Sequence, residues 1–242
     1  MNVVTGRESR MKLCGRMNRA AVLFILTALG LCSGCQIIGI LFTPTPFEKK
    51  IPAEYEFSRK AEDGVLVLVQ QPAWLNVQTD LRPGLTDAVN ILLRKKAKVN
   101  KKAIIDYDRL VEFRRSHSDF SSLTPRQVGD ALGVKTVLVI IIENYVLSDL
   151  PIDGYYEGLQ KGELDVRSYL LDVAGGEVLW PTDSESKLVR LQLEAERGGK
   201  EACAARLSRA AAHCIVRYFY DCRKDKFRTW GERPDTRKGD EW

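Results

Sequence analysis

Residues 65–69 read Val-Leu-Val-Leu-Val, an apolar run with no polar residue in alternation. Such a run is the signature of a strand buried on both faces, which requires packed cover on each side of its sheet. Thr136–Leu147 begins the same way (VLVIII) and then alternates more weakly. Between these runs the signals are helical. Pro83 opens a helix whose apolar stripe is Leu85, Ala88, Val89 and Leu92. Ala103-Ile104-Ile105 reads as a second short strand, and Asp106 as the cap of a helix bearing Tyr107, Leu110 and Phe113. Thr124-Pro125-Arg126-Gln127 has the form of a capping box with proline at the first helical position, and Gly133 ends that helix.

The second half of the chain alternates more clearly. Leu164, Val166, Ser168 and Leu170 interleave with Asp165, Arg167, Tyr169 and Leu171, a half-buried antiparallel strand. Ala174-Gly175-Gly176 is a tight turn into Glu177–Trp180, its hairpin partner, and Lys187–Leu193 is a further strand. A final helix near Lys200–Asp221 carries Cys203, Leu207, Ala210, Cys214 and Tyr218 on one stripe, with Arg206, Arg209, His213 and Arg217 opposite. The fold class is therefore α/β: a mixed sheet of about five strands with helices packed against it and a long C-terminal helix.

The N-terminus obeys different rules. Basic residues precede Ala20–Leu31, an uncharged apolar run of signal-peptide length, and the run ends in Leu31-Cys32-Ser33-Gly34-Cys35. This ending resembles the bacterial lipobox, in which small residues precede a cysteine that is lipidated and becomes the new N-terminus, and the resemblance implies Cys35 as the site of lipid attachment. Cys32 departs from the usual pattern by standing where leucine is expected. The alternative is a spanning helix, because Ala20–Phe42 stays uncharged for long enough to cross a bilayer. Either arrangement leaves the domain exported. The expected organisation is a signal peptide over 1–34, a lipidated N-terminus and tether over 35–63, a domain over 64–222 and a polar tail over 223–242.

Charge and cysteines narrow the function classes. Of the formal net charge of +5, residues 1–34 supply +4, since Arg7, Arg10, Lys12, Arg16 and Arg19 oppose only Glu8. The remainder has no basic excess of the kind that phosphate backbones require, so nucleic acid is not an expected partner. Cys203 and Cys214 share a helix about 16 Å apart and cannot bond to each other; they read as small core residues. His213 falls away from both, and no metal-ligand spacing is present. His117, in Ser116-His117-Ser118-Asp119, lacks a nucleophile elbow elsewhere in the chain. No phosphate-binding glycine loop follows any strand. Glu143, Asp165 and Asp172 read as solvent-facing strand positions. No catalytic residue, cofactor or metal is expected.

Two segments together carry a family resemblance: Leu132–Leu138 within ALGVKTVLV, and Leu170–Trp180 within YLLDVAGGEVLW. They resemble a group of bacterial envelope lipoproteins that includes the curli secretion channel protein, the lipoproteins that activate penicillin-binding proteins, and the N-terminal domain of TolB. The resemblance spans about residues 64–221 and implies a non-catalytic protein that binds partners or assembles. Only the Thr136–Val173 pair of strands is long enough to extend, so a pore is not expected. The expected function is that of an envelope lipoprotein, facing the periplasm and held to the outer membrane, that binds another envelope protein. A ring-forming homo-oligomer is the alternative, and a cell-wall hydrolase a weaker one. Tyr155 and Tyr156, adjacent in a connection with Gly and Pro, are expected to face a partner or to fold back onto a neighbouring helix.

Overall fold

The computed structural model describes residues 49–60, 62–75, 79–150, 159–229 and 231–233. Five strands form one sheet in the order β2 (Val65–Gln70), β3 (Thr136–Asp149), β4 (Gln160–Asp172), with β5 (Val178–Trp180) and β6 (Lys187–Glu196) pairing successive stretches of β4. Only β2 and β3 are parallel; the crossover between them holds α1 (Arg82–Lys95), α2 (Tyr107–Ser116) and α3 (Pro125–Ala131). Two short strands, β1 (Lys50–Ile51) and β7 (Cys222–Arg223), pair separately.

The five-residue run at Val65 behaves as expected. Val65, Val67 and Val69 enter a core shared with α1 and α4 (Gly199–Val216), while Leu66 and Leu68 enter a second core with α2 and α3. The capping box of α3 forms in full: Gln127 N–H donates to Thr124 Oγ1 and Thr124 N–H to Gln127 Oε1. Gly133, at φ +70°, ends that helix in the left-handed region that glycine enters without steric cost.

Several elements differ from the sequence reading, each for a packing reason. Residues 101–103 form a 3-10 turn capped by Asn100, and Ile104 makes only one bridge, to Val65, before the chain turns into α2. Asp106 stands at the start of α2 without a side-chain capping bond. Arg217 does not lie on a solvent face. It is buried and bound to Glu232.

The ends of the domain are packed rather than loose. Tether residues 49–57 pair as β1 with β7 and seat Phe57 against Phe219, ring centroids 5.0 Å apart. Trp180, fully buried, donates from its indole nitrogen to Glu54 at 2.7 Å. On the other side of Cys222, α5 (Lys224–Phe227) buries Phe227, and Gly231–Arg233 lies along the edge of β6. Among the described residues the packing therefore includes 49–57, ahead of Gly64, and reaches Arg233, eleven residues into the stretch expected to be a polar tail.

Candidate functional site

The most unusual part of the sheet is the long β3–β4 pair. It runs past the end of β2, which stops at Gln70 opposite Ile141, and closes with Leu150 N–H bonded to the Leu159 carbonyl. A bulge at Glu143 switches the inward parity of β3. Leu138, Ile140 and Ile142 point into the α1/α4 core before it, and Tyr145 and Leu147 after it. An inserted residue of this kind is why the alternation read from Thr136–Leu147 weakens.

One face of this extension is covered closely. Gly162 sits where α4 crosses β4, and a Cβ there would lie 2.7 Å from Cys203 Sγ. Among the described residues the other face lies open. The second core reaches no further along these strands than Ile141 and Tyr169 among the described residues. Beyond that line the three strands present a register of opposed side chains: Arg167 between Ile141 and Leu188, Asp165 between Asn144 and Arg190, Glu163 between Val146 and Gln192. All are half-buried except Val146, which is 41% exposed.

Three ion pairs lie on this face. Arg167 is bound to Glu143, Lys161 to Glu163 at 3.1 Å, and Arg190 to Asp165 at 4.0 Å. Burial raises the Asp165 carboxyl above its ordinary range; Arg190 opposes the shift, and Glu143 and Glu163 add to it. Glu194, on the same face of β6, accepts from the Gln192 amide instead of a cation.

The residues singled out in the sequence are not brought together. Cys35, Tyr155 and Tyr156 lie outside the described residues. Cys203, Cys214 and Cys222 are buried free thiols, and burial raises the first two above the usual thiol range. His117 stacks on Phe113 and bonds at the end of α2, and His213 bonds the Lys226 carbonyl at 2.8 Å. Among the described residues no group of His, Cys, Asp and Glu is placed to hold a metal ion, and no helix is long and apolar enough to cross a membrane. The three-stranded face was missed as a unit. Its signals, the alternations at 161–167 and 188–194, are visible in the sequence, but their pairing is not.

No known protein family and no curated protein matches the chain. Among solved structures, the chain is similar to lipoprotein GNA1162 of Neisseria meningitidis, at 16% identity and a TM-score of 0.41, covering 63% of this chain and 97% of that one. It is similar to the PelC dodecamer subunit of Paraburkholderia phytofirmans at 12% identity and a TM-score of 0.41, covering 70% and 96%. A hypothetical protein of Chlamydia trachomatis matches at 11% identity and a TM-score of 0.29, covering 53% of this chain and 71% of that one.

Proposed function

We propose that this protein is an exported lipoprotein, anchored through Cys35, that acts as a non-catalytic binding or assembly factor for another component of the cell envelope. The anchor reading rests on Ala20–Cys35, an apolar run ended by small residues and a cysteine. The observation that carries the binding reading is the open face of β3, β4 and β6, where Val146 stands exposed among paired charges. Interfaces combine an apolar centre with a polar surround in this manner. Tyr155 and Tyr156, in the connection between β3 and β4, add apolar area with polar tips to the same reading.

Two measurements test it. Cys35→Ser blocks acylation, and the wild-type mature N-terminus is an acylated cysteine followed by Gln36; an envelope protein that keeps residues 20–31 with a bare thiol overturns the anchor. Affinity capture from solubilised envelope is compared between wild type and the Val146→Lys, Arg190→Glu double variant. The partner is lost from the variant while its melting temperature is kept; identical capture overturns the binding face.

A self-assembling subunit is favoured by a separate observation. Past Ile142, β3 has no strand on the side away from β4 among the described residues, so its backbone can pair with another chain. Mild cross-linking of the anchored protein decides this reading by the presence or absence of a discrete oligomer.

A further inference from the structure

The charges of the domain are segregated: residues 49–233 hold 30 basic and 27 acidic residues, and the basic ones cluster. From Ala88 to Ile105 there is no acidic residue, while Arg94, Lys95, Lys96, Lys98, Lys101 and Lys102 are all cationic. The five lysines are exposed, and none is in an ion pair among the described residues. The negative end of the α1 dipole accounts for Arg94 and Lys95, which occupy its last turn. Lys98, Lys101 and Lys102 lie beyond the helix, outside the short range of that effect.

Other cations converge on the same end. The charge of Lys96 reaches His213, whose ring bonds the Lys226 carbonyl, and Lys224 N–H bonds the Lys49 carbonyl at 2.9 Å. Lys50 stands opposite Arg223 in the β1–β7 pair. Of the acids near this pole, Asp225 is paired with Arg223 and Asp63 with Lys135, while Asp221 accepts the Ala53 N–H. In sequence, residues 36–48 join Cys35 to Lys49 and can span at most about 45 Å.

We infer that this pole, built from the end of α1, the loop after it, β1 and α5, is a cationic face that lies on anionic lipid headgroups. The inference deepens the reading of a membrane-held domain and rests on it. Lysine rather than arginine dominates the pole, which suits diffuse attraction to a charged surface better than bidentate grip on single phosphates. Ile91, 39% exposed, lies one turn before Lys95 on the same stripe of α1 and offers apolar contact at the headgroup boundary. The orientation follows. Lys200, at the start of α4, pairs with Asp149 near the β3–β4 tip, and His213 stands about 20 Å further along the helix. The β3–β4 tip thus lies at the end of α4 opposite this pole.

The test reconstitutes the full chain into vesicles of phosphatidylcholine alone or with phosphatidylglycerol added, and measures lysine acetylation by mass spectrometry. Lys95, Lys96, Lys98, Lys101 and Lys102 react at least about fivefold more slowly on the anionic vesicles, the gain expected from a single cation near such a surface. The protection disappears when salt shortens the Debye length to about 3 Å. Lys161 and Lys200 react alike on both. Glutamine at all five positions removes the vesicle dependence at Lys224 and Lys226 as well. Equal labelling on the two vesicles, or protection by a soluble polyanion but not by anionic lipid, overturns the inference. Because both vesicles hold the N-terminus, a failed anchor is seen separately, as unmodified Cys35 in the same spectra.

Discussion

Arg217 shows how far one side chain can depart from its place on a helical wheel. Its guanidinium grips the Glu232 carboxylate through two bonds of 2.6 Å and lies over the rings of Tyr218 and Phe227, 5.0 and 4.3 Å from their centroids. Burial alone disfavours the charge, but the Glu232 bond outweighs it and the pKa of Arg217 is raised. Breaking such a pair strands a buried ion, so Glu232→Ala and Arg217→Ala each lose about 3 to 5 kcal/mol in denaturant unfolding, whereas replacing both with apolar residues costs much less. His213, one turn before Arg217, responds to pH. Burial lowers its pKa, and Arg217 and Lys96 act in the same direction against the Lys226 carbonyl and Glu232. The unfolded chain therefore takes up this proton first as pH falls. Stability is held above the unfolded value near 6.5 and declines as pH drops through it toward the lowered folded value. His213→Gln flattens that part of a stability–pH curve; an unchanged curve shows that the decline belongs to other groups.

At the scale of elements, the contact between β4 and α4 sets how the long strand pair is held. Gly162 lets the helix approach, since an added Cβ would stand 2.7 Å from Cys203 Sγ and 2.9 Å from Leu207 Cδ1. Gly162→Ala is expected to cost about 1 to 3 kcal/mol, the usual range for overpacking. Adding Cys203→Ala removes the nearest obstructing atom and recovers part of that loss, which a double-mutant cycle measures. The bulge at Glu143 acts on the same element. It lets β3 keep an apolar inner face on both sides of the irregularity while its outer face changes from a covered core to an open one.

At the scale of the molecule, the domain is closed by its own ends. Tyr55, Phe57, Phe219 and Trp180 form one aromatic group with ring centroids between 4.9 and 6.4 Å apart. A fragment of residues 49–242 is expected to unfold cooperatively. One that starts at Gly64 loses the cover over Phe219 and the Glu54 acceptor for Trp180, and burial of Phe57 alone is worth about 1.5 to 3 kcal/mol. Its melting temperature falls well below that of the longer fragment; equal melting temperatures would show that residues 49–63 only rest on the surface.

Local chemistry determined much of this protein from the sequence alone. The unbroken run at Val65 required two covered faces, the Thr124 and Gln127 spacing required a helix start, and the alternation at 164–171 required a half-open strand, because each depends only on side-chain period and neighbouring backbone groups. The core role of Cys203 and Cys214 was legible for the same reason. What only the tertiary structure decided depends on partners distant in the chain. Arg217 is buried because Glu232 returns to meet it, Lys50 is paired because Cys222 and Arg223 pass beside it, and the open face exists because β6 docks on β4 while α2 and α3 stop at Ile141 and Tyr169. Hydrophobic period fixes which side of an element is buried, but it carries no term for which other element, or which opposite charge, will lie against it.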